Sequence, residues 1–72
     1  MNESLRMDID NWFTYHSPTP EQLPKYQHLR DEAKALAHTI NLLVPECPDK
    51  SAAIRKLREC IMTANAAIAC NS

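Results

Sequence analysis

Apolar residues recur along this chain in three blocks at helical spacing, and prolines separate the blocks. In the first, Leu5, Ile9, Trp12 and Phe13 share one side while Ser4, Arg6, Asp8, Asp10 and Asn11 occupy the others, which predicts a short amphipathic helix over 3–12. A helix that short is marginal alone, so its stripe must dock on another part of the protein. Trp12 and Phe13 are expected to lend bulk to a thin core.

Pro18, Pro20 and Pro24 follow, each fixing its own φ and biasing the residue before it away from helix. Thr19, with Pro20 and Gln22 after it, has the composition of a cap on a first helical turn. Pro24 then marks either a fresh helix start or a kink. Beyond it Tyr26, Leu29, Ala33, Leu36, Ile40 and Leu43 alternate steps of three and four, a heptad-like seam that predicts a long helix ending near Val44. Arg30, Ala37 and Val44 flank that seam, and Asp31, Lys34 and His38 are expected to face away. Pro45 and Pro48 end the helix, with Asp49 the expected N-cap of the next. So short a connection makes the two helices antiparallel neighbours. The last helix carries its own seam through Ile54, Leu57, Ile61, Ala64 and Ile68, beside a small-residue stripe at Ala53, Cys60 and Ala67. Two helices cannot cover both stripes, so a further copy of the chain is expected to. Asn65, set among alanines, is either exposed or hydrogen-bonded across an interface.

The pattern therefore predicts an all-α fold: a short N-terminal helix, then an antiparallel two-helix hairpin, one domain over 1–72, assembled as a homo-oligomer. Length supports the last point. A chain of 72 residues builds a thin core, and ordering each residue costs roughly 1.5 kcal/mol, so small domains lean on disulfides, a metal or assembly. The cysteines Cys47, Cys60 and Cys70 are odd in number and no secretory leader precedes them, which points to reduced thiols in the cytosol. His16, His28 and His38 lack ligand spacing for a metal. Assembly is the supplement that remains.

Composition narrows the chemistry. A formal charge of −1 argues against a binder of DNA or RNA polymers, and the absence of glycine excludes the Walker A loop, the dinucleotide fingerprint and the nucleophile elbow. No apolar run reaches the roughly 20 residues that span a bilayer. No carboxylate pair or nucleophile arrangement supports catalysis, so the chain reads as a non-enzyme without a cofactor. For binding, the run FTYH at 13–16 offers Tyr15 as a stacking face, Phe13 as apolar area, and Thr14 and His16 as hydrogen-bonding groups. Arg30 and Lys25 could add charge-assisted contacts to phosphate. Tyrosines such as Tyr15 and Tyr26 are more often core aromatics than ligand platforms, and Arg30 could pair with Asp31 or Glu46 of a neighbour.

The run FTYH, a proline-containing spacer, KYQHLRDEAKALA and a terminal ANAAIAC together resemble the helical-hairpin family of phage sponges that inhibit CBASS immunity, a hairpin shared with Thoeris-inhibiting sponges. The resemblance covers about residues 10–72. It implies a non-enzymatic homohexamer in the cytoplasm of an infected bacterium that sequesters cyclic dinucleotides such as 3',3'-cGAMP between paired subunits, with cyclic trinucleotides taken at a separate site near a threefold axis. Carried over by residue, Tyr15 stacks on a base and Arg30 meets the phosphates. Thr14, His16 and Lys25 are neighbouring contacts, and Asn65 belongs to the second site or to subunit packing. Cys70 stands where relatives often have arginine, a departure that bears on the trinucleotide site. The alternative from a different class is a structural or regulatory hairpin whose seam binds a protein partner.

Overall fold

The computed structural model describes residues 3–71, which form three helices: α1 (Glu3–Trp12), α2 (Leu23–Leu43) and α3 (Pro48–Asn71), with no strand among the described residues. The short connection 44–47 folds α3 back along α2. Gln22, at the start of α2, donates from Nε2 to the carbonyl of Ile68 near the end of α3 at 3.2 Å, so the two helices run antiparallel. Pro24 is the second residue of α2, where a missing N–H costs nothing, so the proline starts a helix and kinks none. One turn earlier Thr19 and Gln22 form a reciprocal box: Thr19 N–H donates to Gln22 Oε1 at 3.0 Å, and Gln22 N–H donates to Thr19 Oγ1 at 3.3 Å. Val44 closes α2 as its extended C-cap. At the other junction the expectation fails: α3 begins at Pro48, so Asp49 lies inside its first turn, beside the positive helix end.

Two seam positions also differ from the expected pattern. The half-buried residues of α2 are Tyr26, Leu29, Ala33, Ala37, Ile40 and Val44, whereas Leu36 and Leu43 are exposed. The helix is rotated so that the smaller Ala37 faces α3, allowing close approach, and the leucines stand outside the seam. On α3 the expected Ile54, Leu57, Ile61, Ala64 and Ile68 are all half-buried, as are Ala52, Ala53, Asn65, Ala69 and Cys70. Of the small-residue stripe only Ala53 is half-buried; Cys60 and Ala67 are exposed.

The order across the layer is α2, α3, α1. Trp12 of α1 lines one hollow with Thr63, Ala66 and Ala67, which are on the side of α3 turned away from the α2 seam. The segment joining α1 to α2 must therefore cross the C-terminal end of α3, and two side-chain amides hold it there. Asn11 donates from Nδ2 to the carbonyl of Cys70 at 3.0 Å, and Gln22 supplies the bond to Ile68. Carbonyls in the last turn of a helix lack intrahelical donors, so these amides act as caps delivered from elsewhere in the chain. Gln22 is 5% exposed and uses both ends of its amide. Gln22→Ala is expected to lower stability by about 1–3 kcal/mol, read as a fall in thermal midpoint, because it removes the box and the α2–α3 tie together. A midpoint unchanged from wild type would refute that role.

No apolar residue among those described is buried; the buried residues are Gln22 and Lys50, the latter paired with Glu46 across the hairpin turn. The exposed surface is 5921 Å², against roughly 4,500 Å² for a compact monomer of this mass. The radius of gyration is 15.7 Å, against about 11 Å for a compact chain of this length. The molecule measures 46 × 33 × 13 Å, and 13 Å is the thickness of a single helix with its side chains. It is one layer of helices with both faces open. Trp12, at 56% exposure, therefore supplies no core bulk, and Phe13 at 84% supplies less.

Candidate functional site

Two places in this layer gather chemistry. The first is the crossing segment. Asn11 and Asp10, in the last turn of α1, accept from it: Thr14 Oγ1 donates to the carbonyl of Asp10, and His16 Nε2 lies 2.8 Å from the carbonyl of Asn11. A carbonyl only accepts, so the imidazole proton sits on Nε2. Thr14 N–H also reaches Asn11 O at 3.4 Å. Thr14 and His16 thus pin the backbone on either side of Tyr15, whose ring stands out with 84% of its surface exposed. Tyr26, by contrast, is half-buried in the α2–α3 seam. The ambiguity between the two tyrosines is resolved by position: one is a packing residue and the other is a presented ring. Thr14 and His16, expected as neighbouring contacts, have their polar side-chain atoms turned onto the backbone.

The second place is a groove of about 270 Å³ along one side of the α2–α3 seam. Ala33, Ala37, Leu57 and Met62 line it together with Arg30, Lys34 and Arg58, and the lining is almost wholly apolar. Arg30 and Lys34 are one turn apart on α2, which puts them on one side of it. Lys34 was expected to face away, and the rotation of α2 that buries Ala37 brings it to the rim instead. Arg58 was not singled out from sequence; its position one residue after Leu57 and three before Ile61 was the available signal. Arg30 donates from Nη1 to Gln27 Oε1 at 2.9 Å, and Gln27 donates in turn to Asp31 Oδ1 at 2.8 Å. Gln27 therefore bridges Arg30 to Asp31, one of the two acids weighed as its partner. On the opposite side of the seam a second groove runs past Leu29, Glu32, Leu36 and Thr39.

Arg30 lines the first groove and Tyr15 does not, and no hydrogen bond joins the two among the described residues. Lys25 is exposed in the first turn of α2. Asn65 is half-buried, and its Oδ1 is buried without a hydrogen-bond partner among the described residues. A buried amide oxygen left unpaired costs about 1–3 kcal/mol. Among the described residues no cluster of histidine, cysteine and acidic side chains could hold a metal ion, and no helix is long and apolar enough to cross a membrane. At the far end of α1 the Arg6 guanidinium hydrogen-bonds Glu3 and holds its carboxyl below the usual carboxylate range, an exposed pair remote from both sites.

Comparison with known proteins adds one match. The family model described as Acb2/Tad1, hairpin domain, matches residues 7–69, from within α1 to the last turns of α3. No curated protein and no solved structure matches the chain.

Proposed function

Because the chain belongs to the Acb2/Tad1 hairpin-domain family, that of the anti-CBASS and anti-Thoeris sponges, we propose that it binds cyclic oligonucleotide second messengers and withholds them, uncleaved, from CBASS effectors. The family match carries this reading. The ligands are cyclic dinucleotides such as 3',3'-cGAMP, with cyclic trinucleotides at a separate site, and the place of action is the cytoplasm of a phage-infected bacterium. Immunity is suppressed by mass action: tight binding lowers the free messenger below what the effector requires, and no bond is broken.

The working unit is a homo-oligomer, a hexamer by family likeness. The single-layer shape supports assembly, since both faces of the hairpin stay open in one chain. Tyr15 stacks on a base and Arg30 meets a phosphate, and their separation in one chain favours a pocket completed by a second copy. A cyclic dinucleotide has twofold symmetry, so a pocket on a subunit twofold presents the same aromatic and the same cation to each half. Phe13 and Lys25 border that pocket, while Thr14 and His16 hold the Tyr15 loop in its presented form. Asn65 belongs to the second site or to subunit packing. Asn65→Leu is accordingly expected to weaken the assembly by about 1–3 kcal/mol, measured as a lower thermal midpoint. A variant as stable as wild type would mean that Oδ1 stays unpaired.

The function is tested by incubating the protein with 3',3'-cGAMP, removing free nucleotide, heating to unfold, and chromatographing what is released. Intact nucleotide in stoichiometric yield is the expected result. Degraded nucleotide indicates an enzyme, and no retained nucleotide points to a hairpin that binds a protein partner.

A further inference from the structure

From residue 3 to residue 25 every residue is exposed except Asn11, His16 and Gln22, and all of these are polar. The arm formed by α1 and the crossing segment is therefore held by hydrogen bonds at a few points and not by buried apolar side chains. Two of the points meet the last turns of α3. Gln22 Nε2 donates to the carbonyl of Ile68 at 3.2 Å, and Asn11 Nδ2 donates to that of Cys70 at 3.0 Å. Asn11 also works in the other direction. Its carbonyl belongs to the last turn of α1, where acceptors are left over by the helix, and it takes the His16 ring at Nε2, 2.8 Å away, and the Thr14 N–H at 3.4 Å. The Cys70 thiol lies 4.0 Å from the same oxygen. One residue thus links the end of α3 to both sequence neighbours of Tyr15. The ring of Tyr15 is 84% exposed and has no burial of its own to fix it, so its place is set by the residues on either side.

We propose that Asn11 is a positioning residue for Tyr15: by clasping the C-terminal turn of α3 it holds the crossing segment in the form that presents the ring to a ligand. The proposal rests on the cyclic-dinucleotide reading for the ligand and adds to it a residue that acts without touching the nucleotide. A segment held by few polar contacts lies at the low-stability end of a fold, and losing one of them frees it locally while the rest stays folded. Neither Asn11 nor Cys70 belongs to the α2–α3 seam, so the hairpin survives loss of the clasp. A ring that must be ordered on binding binds more weakly than one ordered beforehand, and a twofold ligand meets two such segments. Affinity at Tyr15 is thereby set in part near the other end of the chain, at the carbonyl of Cys70.

The experiment compares wild type with Asn11→Asp, which keeps the size of the side chain, removes the Nδ2 donor and sets a carboxylate against the Cys70 carbonyl. Calorimetry with 3',3'-cGAMP reads affinity, NMR relaxation of the Tyr15 amide reads its order in the free protein, and circular dichroism reads helix content. The variant is expected to bind the nucleotide at least about tenfold more weakly. Its Tyr15 amide should fall from an order parameter of about 0.85 to below about 0.6 and recover at saturating nucleotide, with helix content unchanged. A Tyr15 amide as ordered in the variant as in wild type would overturn the proposal, and so would an affinity within about twofold of wild type; either result leaves the sponge reading standing. Wild type that binds no nucleotide overturns the sponge reading instead, and the relaxation of the free proteins then decides the clasp: a loosened Tyr15 keeps it and an unchanged one removes it. Should circular dichroism show Asn11→Asp misfolded, His16→Phe, which keeps a ring and removes its bond to the Asn11 carbonyl, decides by the same measurements.

Discussion

Tyr15→Ala is expected to abolish retention of 3',3'-cGAMP while leaving the fold and the assembly intact. The ring is 84% exposed in the chain, so truncating it removes no packing and the variant should melt as wild type does. Stacking of a base on an aromatic side chain is worth about 1–3 kcal/mol, and a twofold ligand uses the residue twice, giving about 2–6 kcal/mol in all. That range corresponds to a loss of about thirtyfold to more than ten-thousandfold in affinity, enough to release the nucleotide during washing. Arg30→Ala should do the same by removing two charge-assisted contacts, and its loss should be partly masked at high salt. Near-wild-type affinity in the Tyr15 variant would show that bases stack elsewhere.

Dilution is expected to lower the thermal midpoint of the wild-type protein, because folding and assembly are one process for a layer without a core. Ordinary domains melt at the same temperature whatever their concentration, whereas an obligate oligomer gains stability by mass action. The basis is the exposed apolar set: Leu36 at 49%, Leu42 at 83%, Leu43 at 73% and Met62 at 60%, on a molecule that buries no apolar side chain among the described residues. Leaving that many large apolar groups in water costs about 1.5–3 kcal/mol each relative to full burial, more than a marginal hairpin can lose. Mass measurement in solution should return a multiple of the 8.2 kDa chain, and Leu36→Glu together with Leu43→Glu should shift that mass downward. A monomer with a concentration-independent midpoint would contradict both the packing argument and the shared pocket.

The candidate site divides in the same way between what was legible and what was not. Tyr15 and Arg30 could be picked out because their residue types and order match a family motif. The place of Lys34 on the groove could not, since a lysine on the polar face of a helix looks solvated until the rotation of that helix is known. Asn11 and Gln22 were hidden for another reason: an amide that caps the end of a distant helix leaves no local pattern.

What the sequence by itself determined were the elements. Prolines at 18, 20, 24, 45 and 48 delimit them, and the three-and-four spacing of Ile54, Leu57, Ile61, Ala64 and Ile68 picks out the face of α3 that packs on α2. These are local properties, set by backbone sterics and by periodicity within one helix. Only the tertiary structure decided that α3 is the middle helix, that the Tyr15 segment crosses its C-terminal end, and that α2 turns Ala37 rather than Leu36 inward. The choice between those two residues is a small rotation of a helix about its axis, to which periodicity is nearly blind and close packing is sensitive. From that rotation follow both the exposure of Leu36 and Leu43 and the place of Lys34 beside Arg30 on one groove.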